Sequence, residues 1–565
     1  MKRGVVASFG EVGHLPGIAH CAKRHGLKPV VAGVDYAIFA GDALPRHTTP
    51  DGKISVGDIH SRSGAIVRSP HEGWGNYLAF GCRGAMRTID RAPLTGMPLY
   101  WMRHGAGMVC ASHLDLLTDL VAKFAIDWDF VAHALLFMNW RTGRTGISGL
   151  SELLPGTGLQ FDGGRTSLRT NWSPWDHIAI DRDVSTHVRA LKQSILRSVA
   201  ASSASRPEIV VELSGGLDSS IVAASLKLVG ASFSAITFAT PGADGDERHF
   251  ARAVAARCEI ELVEIQHGDE EIDLIAPPER LSPRPGAYSV LGGVDRAFSV
   301  VFGSRDRAIF GGIGGDSVFG LDGSVAPILD ACATFGFGRR ALATLRDVAR
   351  AGDATIWQAL RLSARARRAG RRLGARRDAT FLAHHIMSQQ HFSHPWDEGE
   401  EAASQARINH VQAIRYILDF LDRPSRWHDA DVVAPLLSQP VVEQCLSIPS
   451  WSWFAGGRDR AIARAAFAAN LPAEVAWRRG KGRLESMCAA AYLRQRPLLR
   501  DLLLGGRLAE QGLLDVAAIE SYLNRDLVEG DFDYFRLIEI GDIERWVRAV
   551  EAGVSRGPSF AQRRY

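Results

Sequence analysis

The fold of this chain is decided by the stretch Glu208-Ile209-Val210-Val211-Glu212-Leu213-Ser214-Gly215-Gly216-Leu217-Asp218-Ser219-Ser220. Its first six residues are mostly apolar and predict a buried strand, while Ser219 to Leu228 predict a helix that Gly230 ends. The loop between them is rich in glycine and serine. Glycine lets the main chain approach an anion, and a helix N-terminus offers N–H groups and a favourable dipole. The stretch therefore predicts a phosphate site.

One acidic residue, Asp218, lies inside this loop and would repel bare phosphate. A metal ion between carboxylate and phosphate removes the conflict, so the loop predicts a nucleotide bound together with Mg²⁺. The loop has neither the lysine of a Walker A sequence nor the glycine spacing of a dinucleotide-binding loop. The strand–loop–helix context favours a functional loop over an ordinary glycine turn. We expect pyrophosphate chemistry.

Length and composition predict a soluble protein with more than one domain. A chain of 565 residues is too long for a single hydrophobic core. Its 46% hydrophobic and 23% charged residues are typical of globular proteins, and a net charge of +4 indicates no particular partner. No apolar run is long enough for a bilayer span, and Gly10 and Glu11 interrupt any signal-peptide core. The seven scattered cysteines, without C-x-x-C or zinc spacing, predict a reduced cytoplasmic protein.

The sequence pattern changes near residue 175. Residues 1–175 contain short β-type runs separated by Gly, Pro and Asp, and we expect one domain there and a second over residues 176–565. In the second domain strands and helices alternate, and beyond residue 325 helices dominate. This alternation predicts an α/β fold with a doubly wound parallel sheet that binds ligands at the carboxyl ends of its strands. The predicted strands are 208–213, 233–240, 260–265 and 307–310, and the predicted helices are 219–228 and 247–258.

A second glycine-rich loop, Gly311-Gly312-Ile313-Gly314-Gly315-Asp316, again places an acid after a predicted strand. Asp218 and Asp316 at adjacent strand ends suit a Mg²⁺ ion that bridges the phosphates of ATP. Taken alone, Asp316 is a turn aspartate, and Asp246-Glu247 is the N-terminal cap of the next helix. The two loops together favour the metal site.

In combination these motifs resemble the synthetase domain of the asparagine synthetase superfamily. The resemblance is carried by SGGLDSS, Asp246-Glu247 and GGIGGDSVFG in that order. It implies an ATP pyrophosphatase that adenylates a carboxylate, preceded by a glutaminase-like (Ntn-type) αββα domain. Weaker similarity to the superfamily's other landmarks is found at residues 75–80, 109–112, 153–157, 431–438 and 458–481.

Two departures from the superfamily narrow the expected substrate. Its amidotransferase members attack glutamine with a cysteine exposed by Met removal, but position 2 here is Lys2, and Cys21 has no free α-amine. Residues 1–175 are therefore expected to form a degenerate scaffold that does not hydrolyse glutamine. Three residues before Asp316, asparagine synthetases carry Glu and β-lactam synthetase carries a catalytic Tyr, whereas this chain carries Ile313.

With both departures, the chain is most similar to lasso peptide cyclases. That resemblance implies adenylation of an Asp or Glu side chain in a precursor peptide, followed by attack of the peptide's N-terminal amine to close a macrolactam. Two alternatives stay open: an amide synthetase of the asparagine or β-lactam type acting on a small molecule, and an inactive scaffold that binds the precursor or a protease. Expected partners are the precursor peptide and a leader-binding or protease protein, with no nucleic acid and no membrane insertion.

The resemblance also implies roles for individual residues. Lys481, between two glycines, is the predicted catalytic lysine that offsets charge on the phosphoryl oxygens and on the tetrahedral intermediate. Asp431 is the candidate proton acceptor for the attacking amine, and His384-His385 is the alternative. The predicted metal ligands are Asp218 and Asp316. The predicted ATP-binding residues are Leu213, Ser214, Gly215, Gly216, Leu217, Asp218, Ser219, Ser220, Phe238, Gly311 and Gly312.

An arginine-rich stretch, Arg339–Arg377, predicts a helical segment with a basic face. Such a face is either a solvated surface or a docking site for an acidic peptide or a partner protein. Sparse aromatic residues make nucleic acid the weaker alternative.

Overall fold

The computed structural model describes residues 3–10, 15–62, 67–121, 123–177, 179–239, 246–285, 289–302, 307–321, 323–421, 430–480 and 485–553. Lys481 lies outside these residues. Within them, the strands form two sheets of six strands and one sheet of five. Among the described helices, none combines the length and the apolar character that crossing a bilayer requires.

Two antiparallel sheets pack face to face in the N-terminal part. Their elements are β1 (Val5–Phe9), α1 (Leu15–Arg24), β2 (Lys28–Ala32), β3 (Tyr36–Ala40), β4 (Arg46–Thr48), β5 (Ile54–Ser61), β6 (Gly73–Arg83), β7 (Met86–Arg91), β8 (Tyr100–His104), β9 (Gly107–Ala111), α2 (Trp128–Leu136), β10 (Ser151–Glu152), β11 (Thr157–Asp162) and β12 (Arg165–Thr170). The first sheet has the order β10-β8-β9-β1-β3-β2, and the second has the order β12-β11-β7-β6-β5-β4. In β1, Val5, Ala7 and Phe9 face the core between the sheets, whereas Val6 faces the helices outside, as strand alternation requires.

The C-terminal part is built on a parallel sheet. Its elements are α3 (Val184–Ser203), β13 (Ile209–Glu212), α4 (Leu217–Leu228), β14 (Ser234–Ala239), α5 (Arg248–Cys258), β15 (Leu262–Gln266), α6 (Gly292–Phe302), β16 (Ala308–Gly311), α7 (Gly315–Val318), α8 (Ala326–Phe335), α9 (Arg339–Ala351), α10 (Ile356–Ala369), α11 (Gln405–Phe420), β17 (Asp431–Val433), α12 (Gln439–Leu446), α13 (Ala461–Phe467), α14 (Ala473–Ala476), α15 (Glu485–Leu504), α16 (Arg507–Glu510), α17 (Val516–Leu523) and α18 (Asp533–Glu551). The sheet order is β15-β14-β13-β16-β17.

Helices cover both faces of this sheet. Val211 and Phe310 face the large core that contains α3, α4 and α13, whereas Val210 and Ile309 face Phe298 of α6. The predicted fold class, an α/β chain with an N-terminal αββα part and a C-terminal doubly wound parallel sheet with many helices, is confirmed. The strand β17 was not predicted, because three residues are too few to show a period.

The outer face of the second antiparallel sheet is covered by the C-terminal part. Helix α12 contacts β6, and Glu443 of α12 accepts hydrogen bonds from Arg62 (2.7 and 3.0 Å) and from Trp172 Nε1 (3.0 Å). Among the described residues, the helices that cover the outer face of the second sheet therefore belong to the part of the chain after residue 175. Trp172 is buried and its ring lies 5.6 Å from that of Trp396, so the predicted linker is packed. The domain boundary near residue 175 stays a prediction.

The arginine-rich stretch is not one helix, which corrects the sequence interpretation. Helix α9 ends at Ala351 with Gly352 as its cap, and a capping box formed by Thr355 and Gln358 starts α10. Gly370, at φ +74°, ends α10 before the last four arginines of the stretch.

A buried cluster of charges joins the two parts of the chain. Glu152 accepts hydrogen bonds from Arg91 (2.7 Å) and from Nε of Arg141 (3.0 Å), and Nε of Arg284 lies 3.4 Å from its second oxygen. Arg284 also pairs with Asp419 of α11. Burial opposes the charged form of Glu152, but the three arginines outweigh it and lower the pKa to about 2. The cluster therefore fixes β10 against α11 through charge.

We expect Glu152→Gln to lower the midpoint of thermal unfolding by about 3–4 °C, because removing one partner of a buried ion cluster costs about 3–5 kcal/mol and a chain of this length loses about 1 °C for each kcal/mol. The control is Glu208→Gln, since Glu208 pairs with Arg307 at the surface, where such pairs contribute about 0–1 kcal/mol. Scanning fluorimetry measures both variants. Because the folded pKa of Glu152 is depressed, its contribution is present above the ordinary pKa of 4.5 and is lost as pH falls toward about 2. Equal midpoints for the two variants would contradict this account.

Candidate active site

Two glycine-rich loops meet at the carboxyl edge of the parallel sheet. One leads from β13 to α4, the other leads from β16 to α7, and the two strands are neighbours, with Glu212 opposite Gly311. The chain continues from β13 to β14 and β15 on one side, while β16 and β17 lie on the other. Strand order therefore reverses between β13 and β16, and open α/β sheets bind their ligands at this reversal.

The first loop is shaped for close approach to an anion. Gly215 adopts φ +75°, and a Cβ there would lie 2.6 Å from Cβ of Phe250, so only glycine fits. Ser214 Oγ lies 3.2 Å from Ser219 Oγ, which closes the loop on itself. Gly216 is the N-cap of α4 and has no side chain to cap the first turn, an arrangement that suits an anion at this helix end.

The second loop is pressed against the first. A Cβ on Gly312 would lie 2.3 Å from the main-chain nitrogen of Ser219, and one on Gly315 would lie 2.4 Å from the carboxyl carbon of Asp218. Side chains at these positions would separate the loops. The glycines of the second loop thus bring Asp316 next to Asp218.

The short helix α7, which carries Asp316, is held from three sides. The side chain of Leu437 fills the space beside Gly314, and the ring of Trp453 fills the space beside Gly320. Nε2 of His410 lies 2.9 Å from the carbonyl oxygen of Val318, and burial lowers the pKa of His410 to about 4. A neutral imidazole therefore anchors the end of α7, donating to that carbonyl.

One guanidinium lies between the two loop acids. Nη1 of Arg460 lies 3.2 and 3.4 Å from the two carboxylate oxygens of Asp218 and also pairs with Oδ1 of Asp316. Burial opposes the charge of Arg460, yet these carboxylates and that of Asp459 raise its pKa above the usual value. A cation thus sits where both carboxylates point, and two such hard oxygen donors also fit Mg²⁺.

Arg460 is positioned by its own segment. It lies in the left-handed region at φ 50°, directly before α13, a conformation that costs free energy in a residue with a Cβ. Arg464, one turn later, donates to the main chain (2.9 Å) and to the carboxylate (3.0 Å) of Asp459. The sequence placed Arg460 only within a segment resembling the superfamily's basic helix, and nothing in its spacing showed contact with the acids.

The residues predicted to surround the nucleoside lie at three consecutive strand ends. Leu213 is buried at the end of β13 and donates its N–H to Ile236 (2.8 Å). Phe238, near the end of β14, lies 5.4 Å from the ring of Phe298, and Gly311 is the last residue of β16. The structure brings these residues together at one edge, and their contact with a nucleoside stays a prediction.

Asp431 does not lie at this edge, which corrects its predicted role. It starts β17 opposite Ala308, three residues, or about 10 Å, before the carboxyl end of the neighbouring strand. There it accepts from Arg206 (2.7 Å) and Arg3 (2.5 Å) in an ion cluster with Asp58. Asp431 therefore joins the N-terminal and C-terminal parts and does not reach an amine at the loops. The alternative, His384-His385, lies exposed on a short 3₁₀ turn.

The two acidic residues before α5, Asp246 and Glu247, form ion pairs with different arginines. Asp246 accepts from Arg248 (2.7 and 2.8 Å), which lowers the pKa of Asp246 to about 2. Glu247 does not cap the helix with its side chain but pairs with Arg478 (2.5 Å), whose guanidinium lies 3.9 Å above the ring of Phe250. Through these contacts Arg478 holds its own segment, which ends at Gly480, against the start of α5. Phe250 of that helix lies beside Gly215 of the first loop.

Comparison with known proteins agrees with this geometry. A family model described as asparagine synthase matches residues 190–548, a range that includes both glycine loops, both acids and Arg460. This chain belongs to the asparagine synthase family. Membership assigns ATP-dependent amide synthesis to the chain and makes it a ligase. A search of curated protein sequences finds no significant match.

Two solved structures are similar in fold to parts of this asparagine synthase family member. One, the allosteric regulatory enzyme of purine biosynthesis, is 10% identical, with 49% of this chain and 81% of that chain covered and a TM-score of 0.20. The other, glutamine phosphoribosylpyrophosphate amidotransferase from B. subtilis complexed with ADP and GMP, is 12% identical, with 46% and 65% covered and a TM-score of 0.19.

Proposed function

We propose that this asparagine synthase family member is a lasso peptide cyclase. ATP activates the side-chain carboxylate of an Asp or Glu in a precursor peptide, and the peptide's own N-terminal amine then forms the amide. The observation that carries the ATP step is the juxtaposition of Asp218, Arg460 and Asp316 at the strand-order reversal. The observation that favours a peptide is the apolar Ile313, three residues before Asp316 in the second loop.

In the first step, a carboxylate oxygen of the peptide bonds to the α-phosphorus of ATP, and the bond to the β-phosphate oxygen breaks to release pyrophosphate. The loop from Ser214 to Ser220 and the start of α4 would receive the phosphates. Asp218 and Asp316 would hold Mg²⁺, which when bound supplies positive charge to the phosphate oxygens. Lys481, by sequence, would offset charge at the α-phosphoryl group.

In the second step, the amine nitrogen bonds to the acyl carbon, the bond from that carbon to the AMP oxygen breaks, and the proton lost by the amine passes to solvent. Ile313 is half-buried and packs against the core of the C-terminal part, so it presents no proton-transferring group to the amine. The superfamily's asparagine and β-lactam synthetases carry Glu or Tyr at this place. The apolar side chain therefore favours a substrate that carries the amine and the activated carboxylate in one molecule, because the substrate itself then holds the amine near the acyl carbon.

Ammonia is disfavoured as the nucleophile by the state of the N-terminal thiols. Cys21 and Cys110 are buried, which raises the pKa of each thiol, and partial desolvation raises the pKa of the exposed Cys82 as well. Attack on glutamine needs a thiolate with a lowered pKa. These three cysteines are therefore unsuited to supply ammonia.

We further propose that an acidic partner protein of the same pathway docks on α10. The buried residues of this helix are Ala359 and Ser363, whereas Trp357 is 73% exposed and Leu360 is exposed beside it. Exposed arginines follow these apolar side chains along the same helix, Arg361 and Arg365 among them. Exposed apolar surface ringed by one charge sign is typical of a protein interface, and its sign favours an acidic partner.

The proposal is tested with purified protein, Mg-ATP and synthetic peptides that carry a free N-terminus and an Asp or Glu at successive positions. We expect pyrophosphate release and the loss of one water mass from at least one peptide. The matched control is the same peptide with an acetylated N-terminus, which should lose no water because its amine is blocked.

Two results would overturn the proposal. Pyrophosphate release with aspartate and an ammonia source, but with no peptide, would show an asparagine synthetase. No release under any condition, from a sample with a cooperative unfolding transition, would show an inactive scaffold.

A further inference from the structure

A second cluster of metal-ligating side chains lies in the N-terminal part, on the outer side of the first antiparallel sheet. Cys21 lies on α1, and His25 follows one turn later. The main-chain N–H of His25 donates a hydrogen bond to the carbonyl oxygen of Cys21 (3.1 Å). Residues four apart on a helix share one face. Asp119 faces them from the segment after Leu116, whose carbonyl is 3.1 Å from Sγ of Cys21. The ligand atoms of Cys21, His25 and Asp119 all lie within 4.8 Å of one another.

The spacing of this cluster is close to that of a tetrahedral ion. Nε2 of His25 and Oδ2 of Asp119 are 3.2 Å apart. Two ligand atoms at about 2.0–2.1 Å from tetrahedral zinc are about 3.3 Å apart. A sulfur at about 2.3 Å from the same ion lies about 3.6 Å from each of them, so zinc binding requires the ligand atoms to approach one another by about 1.2 Å at most. Side-chain rotation alone supplies such a shift.

The surroundings of the cluster also suit a metal. Cys21 is completely buried, and the side chains of His25 and Asp119 are only 10% and 11% exposed. A site with one edge toward solvent shields the ion and still lets it enter. Thiolate and imidazole are ligands for zinc and similar transition metals, whereas Mg²⁺ and Ca²⁺ require oxygen.

We propose that Cys21, His25 and Asp119 bind one zinc ion, with water as the fourth ligand, and that the ion ties the end of α1 to the segment after Leu116. Binding replaces the thiol proton of Cys21, which leaves to solvent, and requires neutral His25. Zinc binding also displaces Arg24. Its Nη1 lies 2.5 Å from Oδ1 of Asp119, and the Arg24 side chain is 51% exposed. Breaking an ion pair this exposed costs little.

The same residue types also occur in nucleophilic triads, but the geometry disfavours that chemistry here. A nucleophile must reach a substrate, and Cys21 is completely buried with its sulfur against the carbonyl of Leu116. Burial and the charge of Asp119 raise the pKa of the Cys21 thiol to about 11. A protonated, inaccessible thiol does not attack, whereas a metal displaces its proton directly.

The test uses the full-length protein, stripped with a chelator and titrated with Zn²⁺ against a chromophoric competitor. We expect one equivalent to bind per chain, and Cys21→Ala and His25→Asn each to weaken binding by at least about 100-fold. The matched control is Cys82→Ser, because Cys82 is an exposed free cysteine outside the cluster, and it should bind as the unmodified protein does.

Cobalt supplies a direct readout of the sulfur ligand. Co²⁺ should give a thiolate charge-transfer band in the near ultraviolet with the unmodified protein and with Cys82→Ser, and no band with Cys21→Ala. Circular dichroism of each variant shows whether it is folded; Asp119→Asn replaces any variant that is not. No tight Zn²⁺ binding, or binding unchanged in folded Cys21→Ala and His25→Asn, would overturn the proposal. Neither readout depends on the proposed cyclase activity.

Discussion

Asp218→Asn and Asp316→Asn are each expected to lower the rate of pyrophosphate release by at least about 100-fold, as expected when a group that stabilises transition-state charge is removed. Both carboxylates point to one place, where the Nη1 atom of Arg460 contacts them together. Asn has nearly the shape of Asp but lacks its charge, so the loops should keep their conformation. The loss should therefore appear in turnover and in the Mg²⁺ dependence of ATP binding.

Calorimetric titration with ATP, with and without Mg²⁺, measures the binding part of this prediction. Mg²⁺ should strengthen ATP binding to the unmodified protein and have little effect on either variant. The control is Asp129→Asn, because the Asp129 side chain is 82% exposed and its carboxylate lies 3.9 Å from the Arg144 guanidinium, far from both loops. Pyrophosphate release at the normal rate from folded Asp218→Asn would rule out this carboxylate as a metal ligand.

Arg460→Ala is expected to destabilise the nucleotide-free protein by about 3 kcal/mol, mainly the cost of leaving the shielded carboxylate of Asp218 without its cation. The side chains of Arg460 and Asp218 are only 14% and 11% exposed, so solvent screens this pair weakly, whereas Asp316 is 39% exposed and contributes less. With Mg-ATP the deficit should shrink, because the metal supplies positive charge to the same carboxylates. Arg460→Lys keeps the charge and should lose less.

Scanning fluorimetry of the three proteins, with and without Mg-ATP, separates the two roles of Arg460. A midpoint drop that Mg-ATP removes shows that the guanidinium neutralises the acids when no metal is bound. No drop in the nucleotide-free variant would contradict the charge account. A drop of the same size under both conditions would show that Arg460 serves the packing of α13 instead.

Much of the fold was predictable because local patterns carry it. The apolar run before Ser214 became β13, the predicted helix 219–228 became α4 (Leu217–Leu228), and 307–310 became β16 (Ala308–Gly311). Strands and helices that alternate at these lengths have few ways to pack, so the parallel sheet followed. The loops that carry Asp218 and Asp316 were found for the same reason, since they follow strands directly.

The errors occurred where distant parts of the chain meet. Asp431 is an acid at the place where the resemblance implied a proton acceptor. Its position in β17, however, places it at the opposite edge of the sheet from the two loops, where it pairs with Arg206. Arg460 contacts acids 144 and 242 residues away, and no local pattern encodes such a contact. The same holds for Glu152 and Arg284, and for Cys21 and Asp119, whose spacing indicated no site.

By itself, the sequence determined the order of strands and helices, the two glycine loops and the kind of chemistry they serve. These properties depend on periodicity and on glycine at positions where a side chain has no room, and both are local. Only the tertiary structure decided which charges meet: Arg460 with the two loop acids, Asp431 with Arg206, and His25 with Asp119. A charge acts on whatever lies within a few ångströms, and in a folded chain that neighbour is set by how the sheets and helices pack.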